Sequence, residues 1–176
     1  MKKSYSVRAL ARLSLLCALA VSLSALEGPI SIALPPGARV GLSNVIVMTA
    51  AAYIGLPSAL IVALFKAVFA LLVRGALSFL MSLAGGLSSA LVLWLLFRCA
   101  SRFLGTLGIS MAGALTHSLA QLFVSCFVYG RAILGYAPIL VLFALPSGIL
   151  TAVLLRAARS LTLHTLHHKR KDQTHP

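Results

Sequence analysis

The spacing of apolar runs constrains this chain more than any other feature. Six stretches approach the ~20 apolar helical residues that a ~30 Å hydrocarbon core demands: Leu10–Leu26, Val40–Ile54, Ser58–Val73, Leu77–Phe97, Gly105–Val128 and Ile133–Leu155. The breaks are short and built from glycine, proline and arginine (Gly55-Leu56-Pro57, Arg74-Gly75, Arg98 to Arg102, Gly130-Arg131), except for a Pro-rich segment from Glu27 to Arg39 after the first run. Hydrophobic residues make up 60% of the chain and charged ones 10%, against ~45–50% and ~25% in soluble domains. No water-soluble fold of this size hides so much apolar surface. The expectation is an all-α, polytopic membrane protein with six transmembrane helices in a lipid bilayer.

Fifteen Lys and Arg stand against two acids, Glu27 and Asp172, for a net charge of +13. On a soluble face that balance would suggest nucleic acid. Here the cations gather at the termini and the breaks, as in polytopic membrane proteins, so nucleic acid is not an expected partner. An inside N-terminus puts Lys2, Lys3, Arg8, Arg12, then Arg98 and Arg102, then the basic tail on one side, leaving Arg39, Arg74 and Arg131 on the other. The expected location is the bacterial cytoplasmic (inner) membrane with both termini cytoplasmic. Residues 1–9 form a basic N-terminus, 10–155 the transmembrane domain, and 156–176 a basic, His-rich tail. Lys2-Lys3, an apolar run and Ser22-Leu23-Ser24-Ala25 also fit a cleaved signal peptide, which would leave five spans. The loop leading straight into a further span favours retention.

Catalysis by this chain alone is not expected. Prenyl and phosphoryl transfer need carboxylates to hold magnesium on a diphosphate, and two acids in total cannot build a two-metal site. Cys17, Cys99 and Cys126 show no metal-ligand spacing and read as small buried hydrophobes. The tail histidines His164, His167, His168 and His175 lie beside cations and read as a solvated segment near anionic lipid. No motif implies a bound cofactor. Small residues recur at i, i+4, i+8 in the first run (Ser14, Ala18, Ser22) and as Ser78, Ser82, Gly86 and Ala90 in the fourth. Such stripes let helices approach closely in lipid, within the bundle or, for the first helix, against another membrane subunit.

The polar residues inside the runs are more informative. Lys66 falls near the centre of the third, where a charge costs at least ~2.5–3.5 kcal/mol to insert, so a pocket or aqueous cavity is expected around it. His117 and Gln121, four residues apart, share one face of the fifth helix. In the loop Leu34-Pro35-Pro36-Gly37-Ala38-Arg39-Val40-Gly41-Leu42-Ser43-Asn44 the paired prolines stiffen the chain and the glycines let it turn. The amides of Gly41–Asn44, opening a helix, are placed to meet an anion. Arg39, Arg74 and Arg131 on that same side, offset only by Glu27, favour a small, negatively charged ligand such as a phosphate ester.

Three segments carry a family resemblance. Pro36-Gly37-Ala38-Arg39-Val40-Gly41-Leu42-Ser43-Asn44 resembles the PGxKLGLAN signature of the bacterial Gx transporter family, also labelled heptaprenyl diphosphate synthase component I. Phe79-Leu80-Met81-Ser82-Leu83-Ala84-Gly85-Gly86 is similar to that family's lSLaGG, and Gly108-Ile109-Ser110-Met111-Ala112-Gly113-Ala114-Leu115-Thr116-His117-Ser118-Leu119-Ala120-Gln121 to its GvSixGAxxHNxGQ. Arg39 stands where Lys is usual, Ser43 where Ala is usual, and Ser118 where Asn is usual. The first exchange keeps the cation, and the last removes a hydrogen-bonding group. The family in turn resembles the substrate-binding S components of energy-coupling-factor (ECF) vitamin transporters. That resemblance implies a six-helix S-component bundle, a lid at Pro35-Pro36, and a first-helix stripe that meets an ECF-type transmembrane coupling subunit with its ATPases. Some relatives accompany Rnf-type electron-transfer complexes and are thought to move flavins.

The resulting expectation is a membrane transport protein for a phosphorylated vitamin or an FMN- or FAD-like flavin, with Arg39, Asn44, Lys66, His117 and Gln121 as ligand contacts. The alternatives are a non-catalytic membrane accessory subunit of heptaprenyl diphosphate synthase, as the family label says, and a structural membrane scaffold.

Overall fold

The computed structural model describes residues 7–32 and 41–172. Six α-helices run in order: α1 (Val7–Ile32), α2 (Asn44–Tyr53), α3 (Leu56–Arg74), α4 (Ala76–Cys99), α5 (Ser101–Tyr129) and α6 (Ala137–Asp172), with a short 3-10 helix, Arg131–Tyr136, leading into the last. Among the described residues, five helices are long and apolar enough to cross a membrane, and α2, with ten residues, is not.

The packing is inverted relative to a soluble protein. Small and polar side chains fill the interior, with Ala20, Ala50, Ala59 and Ala63 fully buried alongside Ser82, Ser110 and Gln121. Large apolar groups such as Leu72, Phe103, Phe127 and Leu142 stand on the outside, Phe127 with 78% of its surface exposed. A surface of this kind is stable only in hydrocarbon, where association rests on close backbone approach and interhelical hydrogen bonds. The chain is a multi-pass membrane protein.

The breaks fall at the glycines that separate the apolar runs. Gly55, at φ +127°, ends α2 and opens α3: its amide reaches back to the Ala50 carbonyl at 2.8 Å, and Pro57 follows in the first turn of α3. That combination of a positive-φ stop and an early proline is the usual asymmetry of helix ends. Within α5, Gly105 leaves the helical region at φ 58°, ψ 174°, so the long span starts after it, where the apolar run begins.

α2 is shorter than the Val40–Ile54 run suggested. Gly41 has φ +84°, and Leu42 and Ser43 form a turn closed by Asn44 N–H to Gly41 O at 3.0 Å and Val45 N–H to Leu42 O at 3.2 Å. At ~1.5 Å per residue α2 is about 15 Å long and α3 about 28 Å, so the N-terminus of α2 lies half-way through the bundle. α2 packs against α1, α3, α4 and α6, and Val45, Val47, Met48, Ala50 and Ala51 are buried. It is a central half-helix.

The two small-residue stripes part company. Ser82, Gly86 and Ala90 of α4 are buried, with Gly86 set against Ala63 of α3, where a Cβ would come within 3.1 Å. On α1 the inward face is Cys17, Ala20, Ser24 and Glu27, and Ser14, Ala18 and Ser22 point outward. Of the cysteines only Cys17 is buried; Cys99 is exposed because it ends α4 at the bundle's rim. At that rim the Arg98 guanidinium lies 5.6 Å from the Trp94 ring centroid. α6 continues into the basic segment, to Asp172.

Candidate functional site

Glu27, near the end of α1, is 2% exposed. Its carboxylate accepts the Ser43 backbone N–H at 2.8 Å and the Ser43 hydroxyl at 3.2 Å. Ser43 is the residue before α2, so the acid sits at a helix N-terminus, where unsatisfied amides and the helix dipole favour negative charge. On the next residue, Asn44 Oδ1 accepts a hydrogen bond from Lys66 Nζ at 2.7 Å. Lys66 is 2% exposed and lies about 12 Å along α3 from Arg74. Two consecutive residues thus tie an acid on α1 and a base on α3 to the opening of α2.

Asn44 is also a wall of a small cavity of about 10 Å³, which it shares with Gly41, His117, Ser118, Gln121, Phe143 and Ser147. That is room for about one water. His117 and Gln121 come from α5 and are 4% and 1% exposed. Both amide atoms of Gln121 are buried with no hydrogen-bond partner among the described residues. So is the hydroxyl of Ser82 on α4. The antiparallel register, fixed by Gly85 against His117 and by the Ser125 hydroxyl 3.8 Å from Met81 Sδ, sets Ser82 level with Gln121. An unsatisfied buried amide costs about 1–3 kcal/mol, so the atoms of Gln121 call for a partner such as a water, an ion or a ligand group.

Glycines make this site possible. A Cβ on Gly85 would meet the His117 imidazole at 2.9 Å, and a Cβ on Gly148 would meet the Met111 backbone at 2.8 Å, beside the 2.7 Å bond from the Ser110 hydroxyl to the Gly148 carbonyl. Gly41 is under double constraint: its φ is positive, and an added Cβ would overlap the Ser147 hydroxyl. Gly41→Ala is expected to lower stability by about 1–3 kcal/mol, read as a fall in thermal midpoint in nanodiscs. Gly85→Ala is expected to cost about 1–2 kcal/mol as His117 is displaced, and to weaken any ligand that touches His117; unchanged stability and binding would show the ring to be free to move.

The structure brings together four of the five candidate contacts. Asn44, His117 and Gln121 share the cavity, and Lys66 joins them through Asn44, although it does not line the cavity. Arg39 and the Pro35-Pro36 lid lie outside the described residues. Arg74 and Arg131 do not line the cavity: the Arg74 guanidinium stands 3.3 Å from where a Gly28 Cβ would be, and Arg131 is exposed at the start of the 3-10 helix. Of the amides of Gly41–Asn44, that of Ser43 meets an anion, the protein's own Glu27, and that of Asn44 is taken by the Gly41 carbonyl. Glu27 lies within α1 and not in the loop that follows it, and the one signal for its role in the sequence is that it is the single acid ahead of the basic tail.

These residues belong to segments that a family profile covers: residues 16–158 match that of heptaprenyl diphosphate synthase component I. The chain belongs to the heptaprenyl diphosphate synthase component I family. No curated protein and no solved structure gives a significant match. In this component I chain the matched region spans the polar cluster from Glu27 to Ser147. Two of its departures from the Gx pattern take on structural meaning: Ser43, in place of alanine, adds the hydroxyl bond to Glu27, and Ser118, in place of asparagine, still lines the cavity.

Proposed function

We propose that this protein binds a small anionic molecule within its helical bundle and moves it across the bacterial cytoplasmic membrane, both termini lying in the cytoplasm. The preferred ligand is a phosphorylated vitamin or a flavin nucleotide. The observation that carries this reading is Gln121: a buried amide with both its donor and its acceptor unspent, facing a cavity walled by Asn44, His117 and Phe143. Such an amide is complementary to a flat heterocycle with adjacent acceptor and donor atoms, and Phe143 offers a ring against which it can stack. Lys66 and, from the adjoining loop, Arg39 supply positive charge for the anionic end. At about 10 Å³ the cavity admits no such ligand as it stands, since vitamin-sized molecules need roughly 300 Å³ or more. Transport therefore requires α2 and α6 to separate, an opening centred on the Gly41–Ser147 contact and on Pro146, which interrupts the α6 ladder.

The outward Ser14, Ala18 and Ser22 on α1 suit the approach of a membrane partner, an ECF-type coupling subunit with its ATPases or an Rnf-type complex. The test is direct titration. Protein in nanodiscs is expected to quench FMN fluorescence with a roughly micromolar Kd. If FMN, FAD and thiamine diphosphate all fail to bind at millimolar concentration, the transport reading is wrong. The family's description favours a second reading, a non-catalytic membrane subunit of heptaprenyl diphosphate synthase. It predicts stable co-purification with a prenyl synthase subunit and no vitamin or flavin binding.

A further inference from the structure

We propose that Glu27 is the site's resident anion and sets its charge selectivity, holding the N-terminal amide of α2 that a ligand's negative group would otherwise accept. The inference rests on the transport reading and concerns the same site. The Ser43 N–H, at 2.8 Å, and the Ser43 hydroxyl, at 3.2 Å, both serve the Glu27 carboxylate. The next two amides are also engaged, Asn44 with the Gly41 carbonyl and Val45 with that of Leu42. An external anion thus reaches the opening of α2 only by displacing the carboxylate. Two cationic side chains lie close by along the chain. Lys66 is bound to the adjacent Asn44 at 2.7 Å, and the Arg74 guanidinium stands against Gly28, the residue after Glu27.

Glu27 and Lys66 are both buried, and among the described residues the cavity that Asn44 shares with Gln121 has no Lys, Arg, Asp or Glu in its lining. Removing the acid's charge takes one negative charge from the N-terminus of α2 and makes the potential there more positive. Glu27→Gln is a suitable probe because an amide can still accept the Ser43 N–H.

The experiment compares FMN with riboflavin, the same ring without the phosphate, on wild type and Glu27→Gln in nanodiscs. The variant is expected to raise the preference for FMN over riboflavin by roughly tenfold or more, as one unit charge several ångströms away does at a protein-like dielectric. An unchanged preference overturns the inference. If neither flavin binds either protein, the transport reading fails, and inorganic pyrophosphate decides the inference alone: it should raise the thermal midpoint of Glu27→Gln more than that of wild type, and equal shifts overturn it. Should Glu27→Gln not fold, Ser43→Ala reads the same competition by loosening the carboxylate. It is expected to move the flavin preference, or the pyrophosphate response, in the same direction by roughly two- to fivefold, and no movement counts against Glu27.

Discussion

A Gln121→Leu protein is expected to lose flavin binding while unfolding at a higher temperature than wild type. The two effects have opposite signs because the amide is costly in the folded protein. Both of its polar atoms are buried without a partner, and an apolar residue of similar size removes that cost, a gain of about 1–2 kcal/mol. Binding goes the other way. Loss of two hydrogen bonds to a ligand in a buried site should weaken it by roughly a hundredfold. Flavin titration and thermal unfolding in nanodiscs check the pair together. A stability loss with no change in binding would make Gln121 a packing residue and leave the cavity without a ligand-facing group.

The second large effect is at Lys66. Lys66→Met keeps the length of the apolar stem but removes the donor to Asn44 and a buried positive charge. Taking one partner from a buried, charge-balanced set costs about 3–5 kcal/mol, enough to reduce the yield of folded protein severely. The Lys66→Met, Glu27→Gln double variant should recover more than half of that loss, since neither charge is then left alone. Unfolding midpoints of the two single variants and the double close the cycle. If the losses simply add, acid and base are not coupled through Ser43 and Asn44.

The fold was largely legible in the sequence because the apolar runs end where glycine and arginine sit, and in lipid the length of a run decides whether a helix can cross. Gly55, Gly75, Gly105 and Gly130 mark breaks in both, each with positive φ. The Val40–Ile54 run over-extends α2 because hydropathy registers Val40 to Ser43 as apolar enough to continue, while the turn at Gly41–Asn44 closes on the Gly41 carbonyl and its Ser43 amide bonds Glu27, sixteen residues earlier. Lys66, His117 and Gln121 stood out because polar groups inside a span must face the interior, and all three are buried. What the sequence could not supply was their grouping: the 2.7 Å link from Lys66 to Asn44 is tertiary, and so is the close approach of Gly41 to Ser147. The α1 stripe shows the limit of periodicity. Cys17, Ala20, Ser24 and Glu27 compete with Ser14, Ala18 and Ser22 for the inward face, and burial of the acid decides between them.

The half-length of α2 bears on how the chain enters the membrane during synthesis. Ten residues are too few to be threaded through the bilayer by their own greasiness, and the following span carries a lysine near its middle. Even so, α3 is the most apolar of the five spans and enters on its own, so the short α2 should reach its buried position late, once α4 and α6 offer the Gly86 and Ser147 surfaces around it. Ribosome-bound chains stopped soon after α3 should therefore leave α2 accessible to protease, and chains extended past Ala157 should not.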